Sequence, residues 1–167
     1  NDYDKIAATV KEFYEKGEKA SKVSDANCHI EGYLPRILST PPYTAYLKIA
    51  DGCDNYCTYC IIPKLRGKYR SRPSDDIVRE AKLLAESGVR ELILVAQDTA
   101  YYGKDCDCDI ADLLKQLSAI DGIEWIRLQY CYPENISDSL IDEIADNEKI
   151  VKYIDMPLQH ISDNVLK

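Results

Sequence analysis

The chain has 167 residues, which suits one domain and gives enough material for a sizeable core. Hydrophobic residues make up 46% and charged residues 30%, an ordinary soluble composition. No apolar run is long enough to span a bilayer, and no signal-peptide pattern is present. The net charge of −8 argues against direct nucleic-acid binding. Seven cysteines, an odd count without secretory context, argue against a disulfide scaffold and for metal or redox chemistry in a reducing cytoplasm.

Residues 1–4 carry no initiator Met and residues 165–167 break off in what reads as mid-helix, so the chain reads as an excerpt of a longer protein. Residues 3–22 are predicted helical, with Ile6, Val10 and Phe13 at helical spacing and Gly17 as a weak point. Residues 24–43 read as a linker containing Gly32, Pro35, Pro41 and Pro42; Cys28 and His29 sit in it as an incidental pair. Residues 44–50 form a strand candidate that runs into a loop with three thiols, Cys53, Cys57 and Cys60. Pro63 and Gly67 then keep the chain irregular. A helix follows, with Ser74 as N-cap, Asp75 and Asp76 at the positive end of its dipole, and Gly88 at its stop. Ile77, Val78, Ala81, Leu84 and Ala85 form its buried stripe.

The cycle repeats. Residues 91–97 read as a parallel strand covered on both faces, 109–121 as a helix, and 124–130 as a third strand. Ser137 caps the next helix, residues 151–156 form a fourth strand, and another helix begins at Ser162. Four strands alternating with helices predict a parallel α/β architecture, about half of an eight-stranded (β/α) barrel. The strand C-termini then share one rim. That rim gathers the thiol loop, Gln97 and Asp98, the stretch 130–134, and Gln159 and His160.

The thiol loop carries the chemistry. Three sulfurs spaced by three residues and then two can face one centre and leave a fourth position open, as reactive rather than structural metal sites do. Zinc or an iron–sulfur cluster suits thiolates. A structural zinc site would need a fourth ligand, and a binding or electron-transfer module with a structural zinc or iron–sulfur cluster is the alternative of another class. Cys106 and Cys108 offer that fourth ligand only with an unusual one-residue spacing, and they otherwise read as incidental. Cys131, at the end of the third strand, reads as packing. Lys64, Arg66, Lys68, Arg70 and Arg72 read either as a solvated loop or, from their place beside the thiols, as an anion contact; position tips the reading toward the contact.

The CxxxCxxC loop after the first strand of a βα series resembles the signature of radical S-adenosylmethionine (SAM) enzymes. Gly52-Cys53, Cys60-Ile61-Ile62-Pro63, Arg66-Gly67 and Arg70-Ser71-Arg72-Pro73 resemble the methylthiotransferases among them. The stretches Ala96-Gln97-Asp98-Thr99, Tyr102-Gly103, Tyr132-Pro133-Glu134 and Pro157-Leu158-Gln159-His160-Ile161-Ser162 resemble the RimO branch, which modifies an aspartate of a small-subunit ribosomal protein. The tRNA-modifying MiaB type usually has a Gly-Gln-Asn loop where this chain has Ala96-Gln97-Asp98, and is the alternative.

The resemblance implies a partial (β/α) barrel of the radical SAM type, with 43–167 its first half and 1–42 the tail of an N-terminal methylthiotransferase domain plus linker. It implies that Cys53, Cys57 and Cys60 hold a 4Fe-4S cluster whose open iron binds S-adenosylmethionine, and that an electron from the cluster cleaves the sulfonium to a 5′-deoxyadenosyl radical. Tyr59 would lie near the adenine, Gln97 and Asp98 near the methionine amino group, and Tyr130 and Gln159 would face the same cavity. Packing for Tyr59, and strand-end capping or solvent for Gln97, Asp98 and Gln159, are the plainer readings. The family's second 4Fe-4S cluster belongs to three upstream cysteines. Only Cys28 lies upstream here, so this chain alone is not expected to complete methylthiolation. The sequence names neither a sulfur donor nor an electron donor.

Overall fold

A computed structural model describes residues 5–17 and 36–166. Cys28, His29, Gly32 and Pro35 lie outside them. Helix α1 (Ile6–Lys16) is shorter than predicted: Gly17 adopts φ 68° and donates its N–H to the Phe13 carbonyl, which closes the helix rather than merely weakening it. No residue of α1 is buried.

The rest is built on β1 (Thr44–Lys48), β4 (Glu91–Val95), β5 (Trp125–Leu128) and β6 (Ile150–Ile154). They form one parallel sheet in the order β1-β4-β5-β6. Helices α3 (Ser74–Glu86), α4 (Ile110–Ser118) and α5 (Asp138–Asp146) pack on one face, where Ala45, Leu47, Leu92, Leu94, Ile126 and Leu128 are buried. Among the described residues the other face is open: Tyr46, Trp125 and Tyr153 are exposed, and Arg127 pairs with Glu91 at 2.8 Å. The apolar run of β4 was expected to be covered on both faces, and Leu92, Ile93 and Leu94 are all buried; its neighbours β1 and β5 instead alternate, as strands buried on one side do.

The caps differ in detail. Asp109 and Ser137 cap α4 and α5 through their side chains. Ser74 does not cap α3: the helix already includes it, Pro73 stands at the cap, and no side-chain bond is made there. Gly88 (φ 102°) follows the α3 stop as expected. Pro63 does not disrupt its stretch. It sits in the first turn of a short helix, α2 (Ile62–Arg66), where a missing N–H costs nothing.

The strand predicted over 44–50 breaks after Lys48. Ala50 and Asp51 turn away as β2 (Ala50–Asp51) and pair antiparallel with β3 (Arg70–Ser71). This ribbon leaves the sheet rim and carries the thiol loop at its tip. Last comes α6 (Asp163–Leu166).

Candidate active site

Because β1, β4, β5 and β6 are parallel, their C-terminal ends share one edge, and four segments meet above it. From the first comes the thiol loop. Gly52, at φ 81°, starts it: a Cβ there would stand 2.0 Å from the Lys68 carbonyl oxygen, so only glycine lets the two backbones approach. The Cys53 N–H then donates to the Gly67 carbonyl (3.2 Å) and the Cys60 N–H to the Cys57 carbonyl (2.9 Å), which folds the loop back on itself. Tyr56, between the first two thiols, has φ 47°, and Tyr130, on the β5 loop, has φ 63°. Among the described residues these are the non-glycine positions at positive φ, and strain of this kind collects at functional sites.

Asp51 anchors the loop root. Its carboxylate accepts from Lys48 Nζ (2.7 Å), Arg66 Nη1 (3.1 Å) and the Gly52 N–H (3.0 Å). Arg72 is buried, paired with Glu80 Oε2 at 2.8 Å and donating to the Lys48 carbonyl. Arg70 donates to the carbonyls of Lys68 and Arg66. The anion-contact reading is therefore corrected for Arg72, whose charge is spent inside the fold, while Arg66 and Arg70 are half-buried and bonded along the ribbon.

The thiols rim a cavity of about 120 Å³ that is also lined by Tyr59, Ile62, Gln97 and Tyr132. Burial pushes the Cys53 thiol above its ordinary value, and the Cys57 and Cys60 thiols and Asp98 push it the same way. Three thiols around one cavity form a donor set for a positively charged centre. Yet among the described residues no three His, Cys, Asp or Glu side chains converge closely enough for a single ion. With Zn–S bonds near 2.3 Å a zinc site requires such convergence; a multi-atom centre does not.

Of the other predicted residues, Gln97 lines the cavity, and its Oε1 is buried without a hydrogen-bond partner. Asp98 is turned elsewhere. Only 2% exposed, its carboxylate accepts from the Asn135 side chain (2.6 Å) and the Tyr132 N–H (3.2 Å), so it organises the β5 loop instead of facing a ligand. Burial raises its carboxyl above the usual range despite those bonds. Tyr59 lines the cavity, and its hydroxyl donates to Gln159 Oε1. Gln159 thus reaches the site through its bonds to Tyr59 and Tyr132. Tyr130 does not line it: it is half exposed, and its N–H donates to Asp155 Oδ2 at 3.0 Å. Cys131 is fully buried against Thr99 Oγ1, and Cys106 and Cys108 are exposed on the loop before α4.

Sequence reasoning gave Tyr132 no role. Its hydroxyl oxygen lies 3.7 Å from Cys57 Sγ. The signal was the proline after it: Pro133 opens a 3-10 turn (Pro133–Asn135) that sets where Tyr132 stands.

The sequence pattern of the Radical SAM superfamily matches residues 47–167, and the chain belongs to that superfamily. Two relatives named ribosomal protein uS12 methylthiotransferase RimO, from Clostridium tetani (strain Massachusetts / E88) and Clostridium botulinum (strain Eklund 17B / Type B), are 56% and 58% identical over 170 and 172 residues. Each comparison covers all of this chain but 38% of the relative, so the chain spans well under half the length of the curated relatives it matches. Among solved structures, the radical S-adenosylmethionine methyltransferase TsrM from Kitasatospora setae, with cobalamin and a 4Fe-4S cluster bound, superposes with a TM-score of 0.60. It is 18% identical and covers 74% of this chain and 24% of that one; the likeness is one of fold.

Proposed function

We propose that this chain is the S-adenosylmethionine-cleaving core of a cytoplasmic methylthiotransferase that modifies an aspartate of the small-subunit ribosomal protein uS12. The observation that carries the reading is the shared cavity of Cys53, Cys57, Cys60 and the unpartnered Gln97 Oε1. The donor set fits the group: three thiolates suit three irons of a 4Fe-4S cluster. A buried acceptor without a donor costs about 1–3 kcal/mol, and an ammonium such as the methionine amino group would supply the donor.

Cys53, Cys57 and Cys60 would hold the cluster. When bound, it supplies the electron that cleaves the sulfonium of S-adenosylmethionine, chemistry that belongs to the cofactor. The chain's own residues bind and orient. Gln97 accepts from the amino group. Tyr59, exposed but tied to Gln159, offers a ring for the adenine to stack on. Asp98 holds the β5 loop in place from behind. The second cluster and the recognition of uS12 belong to parts of the full-length protein beyond this chain. The tRNA reading has no specific support, and the net charge of −8 argues against it.

Anaerobic reconstitution of the full-length protein tests the reading. Cys57→Ala is expected to abolish the spectral signal that shifts on adding S-adenosylmethionine, and the unchanged protein is expected to place a methylthio group on uS12, read by mass spectrometry. One tightly held zinc in place of iron, or methylthiolated tRNA with unmodified uS12, would overturn it.

A further inference from the structure

Tyr132 is not a ligand in the proposed function, but its hydroxyl lies against one: 3.7 Å from Cys57 Sγ, within hydrogen-bond reach of sulfur. Its mount is rigid. The Tyr132 N–H and the Asn135 amide both donate to the buried Asp98 carboxylate, at 3.2 and 2.6 Å. The Asp98 carbonyl in turn accepts from the buried Tyr69 hydroxyl at 2.8 Å. Pro133 fixes the next turn of chain. On its far side the hydroxyl oxygen accepts from Gln159 Nε2 at 3.4 Å. With that lone pair used, the hydroxyl proton is free to point at the sulfur. A thiolate that binds iron can only accept, so the bond runs from Oη–H to Sγ.

We propose that Tyr132 donates a hydrogen bond to the Cys57 thiolate and thereby raises the reduction potential of the bound cluster. This rests on the cluster reading given above. The physical reason is general. A donor on a ligand sulfur draws electron density from the centre, and the reduced state, carrying one more negative charge, gains more from it than the oxidised state. Tyr132 is a positioning and tuning residue: it meets the cluster only through Cys57. Asp98 and Asn135 matter because they set where its hydroxyl stands, which gives the buried carboxylate a purpose that ligand contact does not.

The test is potentiometry of the reconstituted full-length protein, following the electron paramagnetic resonance signal that changes when S-adenosylmethionine is added; that change separates this cluster from any other. Tyr132→Phe keeps the ring and removes only the hydroxyl. The midpoint is expected to move to a more negative value, by up to about a tenfold change in the reduction equilibrium, or about 59 mV for one electron. Asn135→Ala keeps the hydroxyl but loosens its mount, and should shift the midpoint the same way by less. An unchanged midpoint in Tyr132→Phe overturns the inference and leaves the cluster reading standing. So does a loss of iron in both variants with no shift in the clusters that remain, the mark of a merely structural role. A wild-type protein with no cluster sensitive to S-adenosylmethionine overturns the cluster reading itself.

Discussion

Asp51 is the residue on which the thiol loop turns. Burial alone would raise its carboxyl, but hydrogen bonds and charge from Lys48 and Arg66 outweigh burial and hold it below the ordinary value of 3.8. A carboxylate depressed in the fold contributes stability above its unfolded value, and that contribution is lost as pH falls through the folded one. Asp51→Asn is therefore expected to cost about 1–2 kcal/mol at neutral pH, discounted because both cations are partly exposed. The gap between variant and wild type in urea unfolding should shrink below pH 3.8. Glu80 is a harsher case. Only 6% exposed, it is what neutralises Arg72, itself 5% exposed. Glu80→Ala should destabilise the fold by about 3–5 kcal/mol, because a guanidinium is left buried and uncompensated. At this scale the sequence was legible where chemistry is local. The three cysteines are one motif, and Gln97 ends an obvious strand. It was not legible where the partner is distant: the Arg72–Glu80 pair and the Asp98–Asn135 bond are facts of packing, which residue type and spacing do not encode.

The β2–β3 ribbon is the element that converts an ordinary strand end into a site. Two-residue strands have no periodicity, so nothing in the sequence marks them; the run 44–50 reads as one strand and breaks at Ile49 because Arg72 N–H claims the Ile49 carbonyl. The ribbon depends on Gly52. Gly52→Ala forces a side chain into φ 81° and onto the Lys68 carbonyl. The conformation alone costs about 1–3 kcal/mol, with a backbone shift in addition. Iron content after reconstitution is expected to fall more steeply than thermal stability, since the displaced segment is the one bearing Cys53. The helices were the readable elements: the apolar stripes of α3, α4 and α5 are long enough to show their period. Gly17 and Gly88 stand just past α1 and α3 at positive φ, whereas α4 stops at Ser118, short of Gly122.

For the molecule as a whole, the parallel order β1-β4-β5-β6 followed from strand–helix alternation, but its exposure did not. Among the described residues β1 and β6 are both edge strands, the face bearing Tyr46 and Tyr153 is open, and Leu158 and Ile161 are exposed beyond β6. Unpaired edges beside exposed apolar side chains favour association. The 167-residue chain alone is expected to self-associate with concentration in sedimentation runs, and Leu158→Lys with Ile161→Lys to reduce it.

The bond between Tyr59 and Gln159 joins positions 100 residues apart. A growing polypeptide on the ribosome therefore makes the thiols long before it makes the wall that faces them. On the proposed function, the cavity wall is complete only once β6 has docked, so stable iron loading is expected after that step, and a nascent chain stalled after β5 should emerge with its thiols still open to alkylating reagents.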